Sequence, residues 1–490
     1  MAMRGKLTAR GTSLDRLLYD GVHAAQVRGA PVLVSSTDRL PAITPIDLFE
    51  RGRQSGDVCS YWERPDEKMA LVGIGAAHTL ELHGDHRFDQ ANSVWSELLD
   101  GALVDDGSMG LPACGPVLLG GFSFDPSTPK TALWSDFSAG FLVLPRYLLT
   151  MIGQECWLTI NRVLGPESDP DTEVERTHDD LLRIDVAPQA SDGCSSDRDD
   201  FCFPIASAAQ TAPSLPEDLR SAESWKALVG DARRAIHQGE AEKIVLARAV
   251  RVRDGDRLLP ANALRRLRRE VPSGCTLFAL ARGESCFLGA TPESLVRLHE
   301  RTVEVSCLAG TIGRGSTEEE DGQLGARLLG SAKDRAEHAV VVRTLQEQLA
   351  AFCDDLEVPA GPVLMKLRNV QHLYTPLCGH LSSADNILAL VERLHPTPAI
   401  GGFPREAAMA FIREREELDR GWYAGPIGWV NRHGEGEFAV AIRSAILQGH
   451  QATLFAGCGI MADSDPESEY RESCLKLQAM LSILVGPTCS

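Results

Sequence analysis

The chain has 490 residues, 43% hydrophobic and 24% charged, values ordinary for a folded globular protein that exclude disordered, collagen-like and disulfide-scaffold classes. Its 68 acidic side chains against 49 basic ones give a formal charge of −19, and no Lys/Arg-rich run supplies the basic face that nucleic acid requires. No apolar run approaches the ~18 residues of a membrane span, and MAMRGKLTARG lacks an apolar stretch behind its charges, so a soluble, cytoplasmic protein is expected. Thirteen cysteines without CxxC pairs or nearby His read as reduced, mostly buried small apolar residues rather than a zinc site.

Taken in chain order, residues 1–29 form an N-terminal segment ahead of one domain spanning 30–487. The first half of that domain, 30–160, reads as short strands with turns, among them MALVGIGAAHTLEL (69–82), GPVLLGGFSFDP (115–126) and GFLVLPRYLLTM (140–151). Gly73 and Gly75 have no third glycine opening a helix, so they read as tight packing in a strand or turn rather than a nucleotide loop. Residues 165–220 carry 14 acidic and 4 basic side chains with little periodicity, an acidic linker or surface excursion. From 221 to 487 longer helices and paired strands follow. The strand EKIVLARAVRV (242–252) precedes a helical ANALRRLRREV, and a helix over 331–352 opens with Ser331 and Asp334 in capping-box positions. A hairpin joins EFAVAIRSAIL to ATLFAGCGIM through QGHQ, and the last helix begins with Asp465 as N-cap and Pro466 at its first position. Mixed runs of strands and helices predict an α+β fold.

Four features carry chemistry. Alternation along EFAVAIRSAIL puts Glu437, Ala439, Ala441, Arg443 and Ala445 on one face, so that Arg443 stands over small residues as a carboxylate clamp would; a surface ion pair at a sheet edge is the alternative. In the last helix Glu469, Glu472 and Lys476 share one stripe, which surface salt bridges also produce. Glu337 lies on the helix face that Val340, Val341, Thr344 and Leu345 bury, and an unpaired carboxylate there would cost several kcal/mol. It therefore needs a cation, and a hard metal such as Mg²⁺ shared with a second carboxylate would serve. Lys243 opens a strand whose face continues with Val245, Ala247 and Ala249; apolar neighbours would make its amine a base, whereas snorkelling to solvent would not.

The stretches EKIVLARAV, GATPESL, CLAGT, SAKDRAEH, LHPTPAIGGFP, DRGWYAGPIGW, AVAIRSA, FAGCGIM and SDPESEYRESCLKL, in this order and spacing, resemble the chorismate-binding enzymes. That family comprises isochorismate, salicylate, anthranilate and aminodeoxychorismate synthases. The match covers about 220–485, with a looser likeness over 30–150. The resemblance implies one large α+β domain of two stacked β-sheets flanked by helices, with the active site between the sheets. It implies a hydroxylating member: Lys243 stands where aminating members carry glutamine, and Ala309 where aminodeoxychorismate synthases carry a nucleophilic lysine. Glu293 of ATPESL matches the general acid that protonates the departing C4 hydroxyl. Glu337 and Glu472 match Mg²⁺ ligands, with Glu469 behind them or reaching the ion through a water. Arg443, Tyr423, Lys476 and the backbone at Gly457 and Gly459 match the clamp on the enolpyruvyl carboxylate, and His372, Gly310 and Thr311 the ring-carboxylate side, with Ala309 and Ala399 also against the substrate. Cys307 and Cys458 depart from the usual Pro and Ala. LHPTPAIGGFP and DRGWYAGPIGW resemble the isochorismate synthases, which implies reversible, Mg²⁺-dependent conversion of chorismate to isochorismate without a glutaminase subunit; menaquinone, a catechol siderophore, salicylate or another secondary metabolite all stay open as its destination, and with no exposed apolar seam a monomer is expected. A salicylate synthase and a partner-dependent chorismate-binding subunit are the rival readings.

Overall fold

The computed structural model describes residues 2–107, 110–128, 131–184, 216–255, 257–270, 274–367, 370–382 and 385–485, without side chains for 2–12, 106, 183–184 and 485. Its strands form one continuous hydrogen-bonded network that divides into two limbs at the strand Gly140–Ile152. That strand pairs with Met69–Leu82 along one edge; its other edge pairs with Val117–Phe122 at one end and Glu155–Leu164 at the other. The first limb runs from Met69–Leu82 through Cys59–Arg64, Thr276–Arg282, Ser285–Thr291, Ser444–Gln448 and Gln451–Ile460 to Lys243–Arg253. The second runs from Val117–Phe122 through Pro426–Asn431, Gly436–Val440, Ser294–His299 and Thr302–Gly313 to Val370–Leu381.

Strand periodicity explains why the first limb is covered on both sides. Phe278 and Leu280 point into an apolar cluster with Phe122, Phe438 and Val305 of the second limb, while Leu277 and Ala279 point the other way into a cluster with Phe49 and Met480. The limbs thus face each other, as the α+β reading with two stacked sheets expects, and helices cap the outer faces. Ser221 caps the helix Ala222–His237, and Ser331 caps Ala332–Leu349 by accepting from Asp334 N. Asp465 accepts from Ser468 N at 2.9 Å to start Pro466–Val485.

Two expectations change. The acidic stretch 165–220 contains the helix Pro170–Ile184, started by Asp169, whose side chain accepts from Thr172 N at 2.9 Å. Residues 185–215 lie outside the described residues. The segment 1–29 contains the helix Ala2–Arg28, and Leu14, Leu18 and Val22 bury it in the outer cluster with Val34 and Leu164. The ten cysteines among the described residues form no disulfide, and eight of them are buried.

Candidate active site

A cavity of about 960 Å³, open mouth included, lies between the limbs. The first limb contributes Lys243, Val245, Ala247, Gly457 and Gly459, and the second contributes Leu308, Ala309, Gly310, Thr311 and His372. Ala399, Tyr423 and Arg443 reach it from connecting segments, Glu337 from the helix Ala332–Leu349, and Glu469, Glu472 and Lys476 from the last helix. All fifteen candidates from the sequence, Glu293 included, therefore line one space.

Lys243 starts its strand beside Phe403 and is 1% exposed. Neither expected environment is found: the ammonium neither snorkels nor sits among apolar groups alone, but lies 2.8 Å from Glu337 Oε1. The two residues that each needed a partner are each other's partner. Burial alone would push the Glu337 carboxyl up, but Lys243 outweighs it, with help from Lys476 and Lys333, and holds it below the usual carboxylate range. Gly459 crosses beneath this pair, where a Cβ would stand 2.5 Å from Glu337 Oε1 and 2.7 Å from Lys243 Cε. Only glycine leaves room for the contact.

Glu293 lies where the chain passes from the first limb, at Ser285–Thr291, to the second, at Ser294–His299. Its backbone is tied down by Thr291 Oγ1, which accepts from Glu293 N, and by Val440 N, which donates to Glu293 O at 3.0 Å. Burial pushes its carboxyl up to about 7 even though Lys243, Lys476 and Arg443 pull it down. Close to neutral pH it therefore retains a proton it can donate.

The strand expected over 437–447 is broken. It ends at Val440, resumes at Ser444, and between them Arg443 takes φ +51°. The cause is a change of partners: Gly436–Val440 pairs within the second limb and Ser444–Gln448 within the first. Ala290 N donates to Arg443 O at 3.1 Å, against a bare Gly289 where a Cβ would come within 2.7 Å of that oxygen. Glu437, expected on the Arg443 face, is buried far along the strand in an ion pair with Arg64 at 2.6 Å.

Beside Arg443, Lys476 Nζ lies 2.7 Å from Glu472 Oε1 and donates to Gly457 O at 2.9 Å. Burial opposes its charge, but Glu472 outweighs burial and the ammonium is held above the ordinary lysine range. Burial pushes the Tyr423 hydroxyl up to about 12, so it stays a neutral donor, and its ring stacks on Phe455 at 5.1 Å. His372 is held down to about 3 by burial and by Arg443 and Lys476, and is neutral. Its Nδ1 is 3.0 Å from Thr311 Oγ1, while Nε2 is buried without a partner. An orphaned imidazole nitrogen in a cavity with two cations suits a polar, anionic ligand.

Four carboxylates gather on one wall: Glu337, Glu469, Glu472 and Asp334. Burial raises the Glu469 carboxyl, with Glu472 adding to it, despite Lys333 at 3.1 Å. Asp334 is likewise raised by burial and by Glu337 and Glu472. Carboxylates crowded to this degree fit a hard divalent cation. Cys458 Sγ and one oxygen each of Glu469 and Glu472 lie within 4.8 Å of one another. Cys458 nevertheless points away from the cavity, donating to Glu469 O at 3.3 Å, and Cys307 faces His338 at 3.7 Å, so neither thiol lines the ligand space.

Sequence reasoning missed the Glu416–Arg420 pair, buried at 2.6 Å. Glu416 accepts from Ala247 N at 2.8 Å, and Arg420 donates to Val245 O at 2.8 Å and to Ile400 O at 3.1 Å, binding the cavity floor to two of its connecting segments. Their i, i+4 spacing was visible, but nothing local marks it as internal.

The chorismate binding enzyme family model matches residues 20–485, and the chain belongs to that family. It is 38% identical over 461 residues to the salicylate biosynthesis isochorismate synthase of Pseudomonas aeruginosa, covering 94% of this chain and 92% of that one. It is 34% identical to isochorismate synthase MenF of Bacillus subtilis, covering 98% and 99%. Among solved structures, the menaquinone-specific isochorismate synthase MenF of Escherichia coli superposes with a TM-score of 0.74 at 26% identity, covering 96% of this chain and 99% of that one. No helix among the described residues is long and apolar enough to cross a membrane.

Proposed function

We propose that the protein is an isochorismate synthase, converting chorismate reversibly to isochorismate by adding water at C2 and releasing the C4 hydroxyl. The observation that carries this reading is the pairing of a buried lysine, Lys243, with a buried carboxyl titrating near 7, Glu293, in one cavity that also holds Arg443 and Lys476. Lys243 in its unprotonated form acts as base toward the attacking water, and Glu293 protonates the departing hydroxyl, a general base on a strand and a general acid on the crossing between two others. Arg443, Tyr423, Lys476 and the backbone at Gly457 and Gly459 bind the enolpyruvyl carboxylate. Gly310, Thr311 and His372, with Ala309 and Ala399, shape the ring-carboxylate side. Ala309 cannot form a covalent adduct. Glu337 and Glu472, with Glu469 behind them, would hold Mg²⁺, which when bound supplies positive charge for the ring carboxylate. With Mg²⁺ bound, a strongly acidic protein would thus offer a dianion a local positive cluster of the metal, Arg443 and Lys476.

Purified protein with chorismate, Mg²⁺ and no ammonia should yield isochorismate without stoichiometric pyruvate by chromatography. Accumulation of salicylate and pyruvate would move the assignment to a salicylate synthase. A requirement for ammonia or a glutaminase would sink the hydroxylating reading. EDTA should abolish turnover and Mg²⁺ restore it, while Glu337→Gln and Glu472→Gln lose metal-dependent turnover with an unchanged circular dichroism spectrum.

A further inference from the structure

Arg443 and Lys476 also border a second cavity, of about 670 Å³ with its open mouth, which shares them and Pro292 with the first. One wall is Leu267 of the helix Pro260–Glu270 together with Met480 and Ile483 of the last helix. The facing wall is Cys275, Leu367 and Val370, a small apolar cluster joined to neither of the two large ones. The two apolar surfaces confront each other across space that no described side chain fills. The polar side chains here, besides the shared pair, are Glu270 and Ser482, and Leu475 at 47% exposure marks the solvent side.

The shared wall is what gives this cavity chemistry. Lys476 is occupied by Glu472 and Gly457 O, but the half-buried Arg443 guanidinium has no hydrogen bond or ion pair from any described residue. A guanidinium carries five N–H donors in a planar fork, and one carboxylate held in bidentate fashion uses two. A substrate carboxylate on one side therefore leaves donors for an anion on the other. An unpaired cation beside apolar walls selects a ligand with one anionic end and an apolar body.

We infer that the cavity behind Arg443, between Met480 and Val370, is a second ligand site for a small apolar monocarboxylate with a ring-sized body, of the benzoate class. Its carboxylate meets Arg443 along the guanidinium edge that the substrate leaves unused, and its ring lies between Leu267, Met480 and Val370. The Met480 thioether gives an aromatic ring a favourable neighbour. Because both ligands draw on one guanidinium, occupation of this site raises the apparent KM for chorismate.

Benzoate tests this on the full chain with Mg²⁺, read by ¹³C-methyl-methionine NMR with Met480 assigned through Met480→Leu. Benzoate should shift the Met480 methyl saturably, and benzamide, without the charge, should bind about tenfold more weakly. Ala479→Phe, which fills the cavity from a partly exposed helix position, and Leu475→Asp, which places a negative charge at its mouth, should each weaken benzoate about tenfold. Both should leave chorismate turnover within about twofold. An unmoved Met480 methyl, or benzoate affinity equal in wild type and both variants, overturns the site, since benzoate would then occupy the substrate cavity or none. Tighter binding of octanoate than benzoate overturns the ring-sized body. The inference goes beyond the proposed reaction, and chorismate turnover in the same samples separates the failure of one from the failure of the other.

Discussion

The two halves of the chain fold into one network yet divide the work: among the described residues, all that line the main cavity are numbered 243 or higher, and 30–160 supply none. The later half buries more charge, with Lys243, Glu293, Glu416, Arg420 and Glu469 all at 6% exposure or less, although Glu63 and Arg162 are as deeply buried in the earlier half. The earlier half is the richer in buried rings, among them Trp62, Phe122, Trp134, Phe137 and Phe141. The comparison teaches that a site with displaced proton affinities is assembled where polar groups are enclosed, and that the earlier half supports it from behind, as Phe124 does under the Arg420 guanidinium at 4.2 Å. Trp134 is a second contact point. It stacks on Phe455, which stacks on Tyr423, and its ring lies so close to Gly421 that a Cβ there would come within 2.1 Å. Its Nε1 donates to Asp419 O at 3.1 Å, fixing the segment that carries Arg420 and Tyr423.

The sharpest separation of the halves comes from Lys243→Gln and Glu293→Gln. Each should lower turnover about 10²-fold or more, measured as isochorismate formed, with chorismate affinity nearly kept. Near-normal turnover in Lys243→Gln would refute the proposed base while leaving the family standing. Next is Trp134→Ala, which should cost about 3–5 kcal/mol in urea unfolding and raise KM for chorismate more than it lowers kcat. An unchanged KM would break the packing link between the halves.

A smaller effect, of about 3 kcal/mol at most, concerns pH, since Glu293 rises from 4.5 in its ordinary state to about 7 in the fold. A carboxyl raised by folding contributes fully below pH 4.5 and loses that contribution as pH rises through 7. Relative to Glu293→Gln, the wild type should therefore lose stability between about pH 5 and 8. Parallel stability curves for the two proteins across this range would show that Glu293 is not held protonated.

Much of the site was legible in the sequence because its residues are extreme types in revealing settings: a lysine opening an apolar strand, a glutamate on a buried helix face. What the sequence withheld is long-range pairing. Lys243 and Glu337 each advertised a missing partner, but 94 positions separate them and nothing local joins them. The break at Arg443 was equally hidden, because EFAVAIRSAIL alternates without Gly or Pro and is interrupted only by a change of sheet partner. The helix Pro170–Ile184 was different: Asp169–Pro170 carries the same cap signal as Asp465–Pro466, and the acidic composition around it obscured a cue that was present.

Glu293 and Arg443 both sit on the short covalent crossings between the limbs, whereas Lys243 belongs to a strand of the first limb alone. These crossings are also stitched together, Ala290 N to Arg443 O and Val440 N to Glu293 O. Mechanically they act as one joint. Any breathing of the two limbs carries the proposed acid and the proposed anchor along together and preserves their spacing. Lys243 is tied to that joint through the strands Ser444–Gln448 and Gln451–Ile460, and that hydrogen-bonded path is the one by which a disturbance elsewhere in the sheet would reach the chemistry.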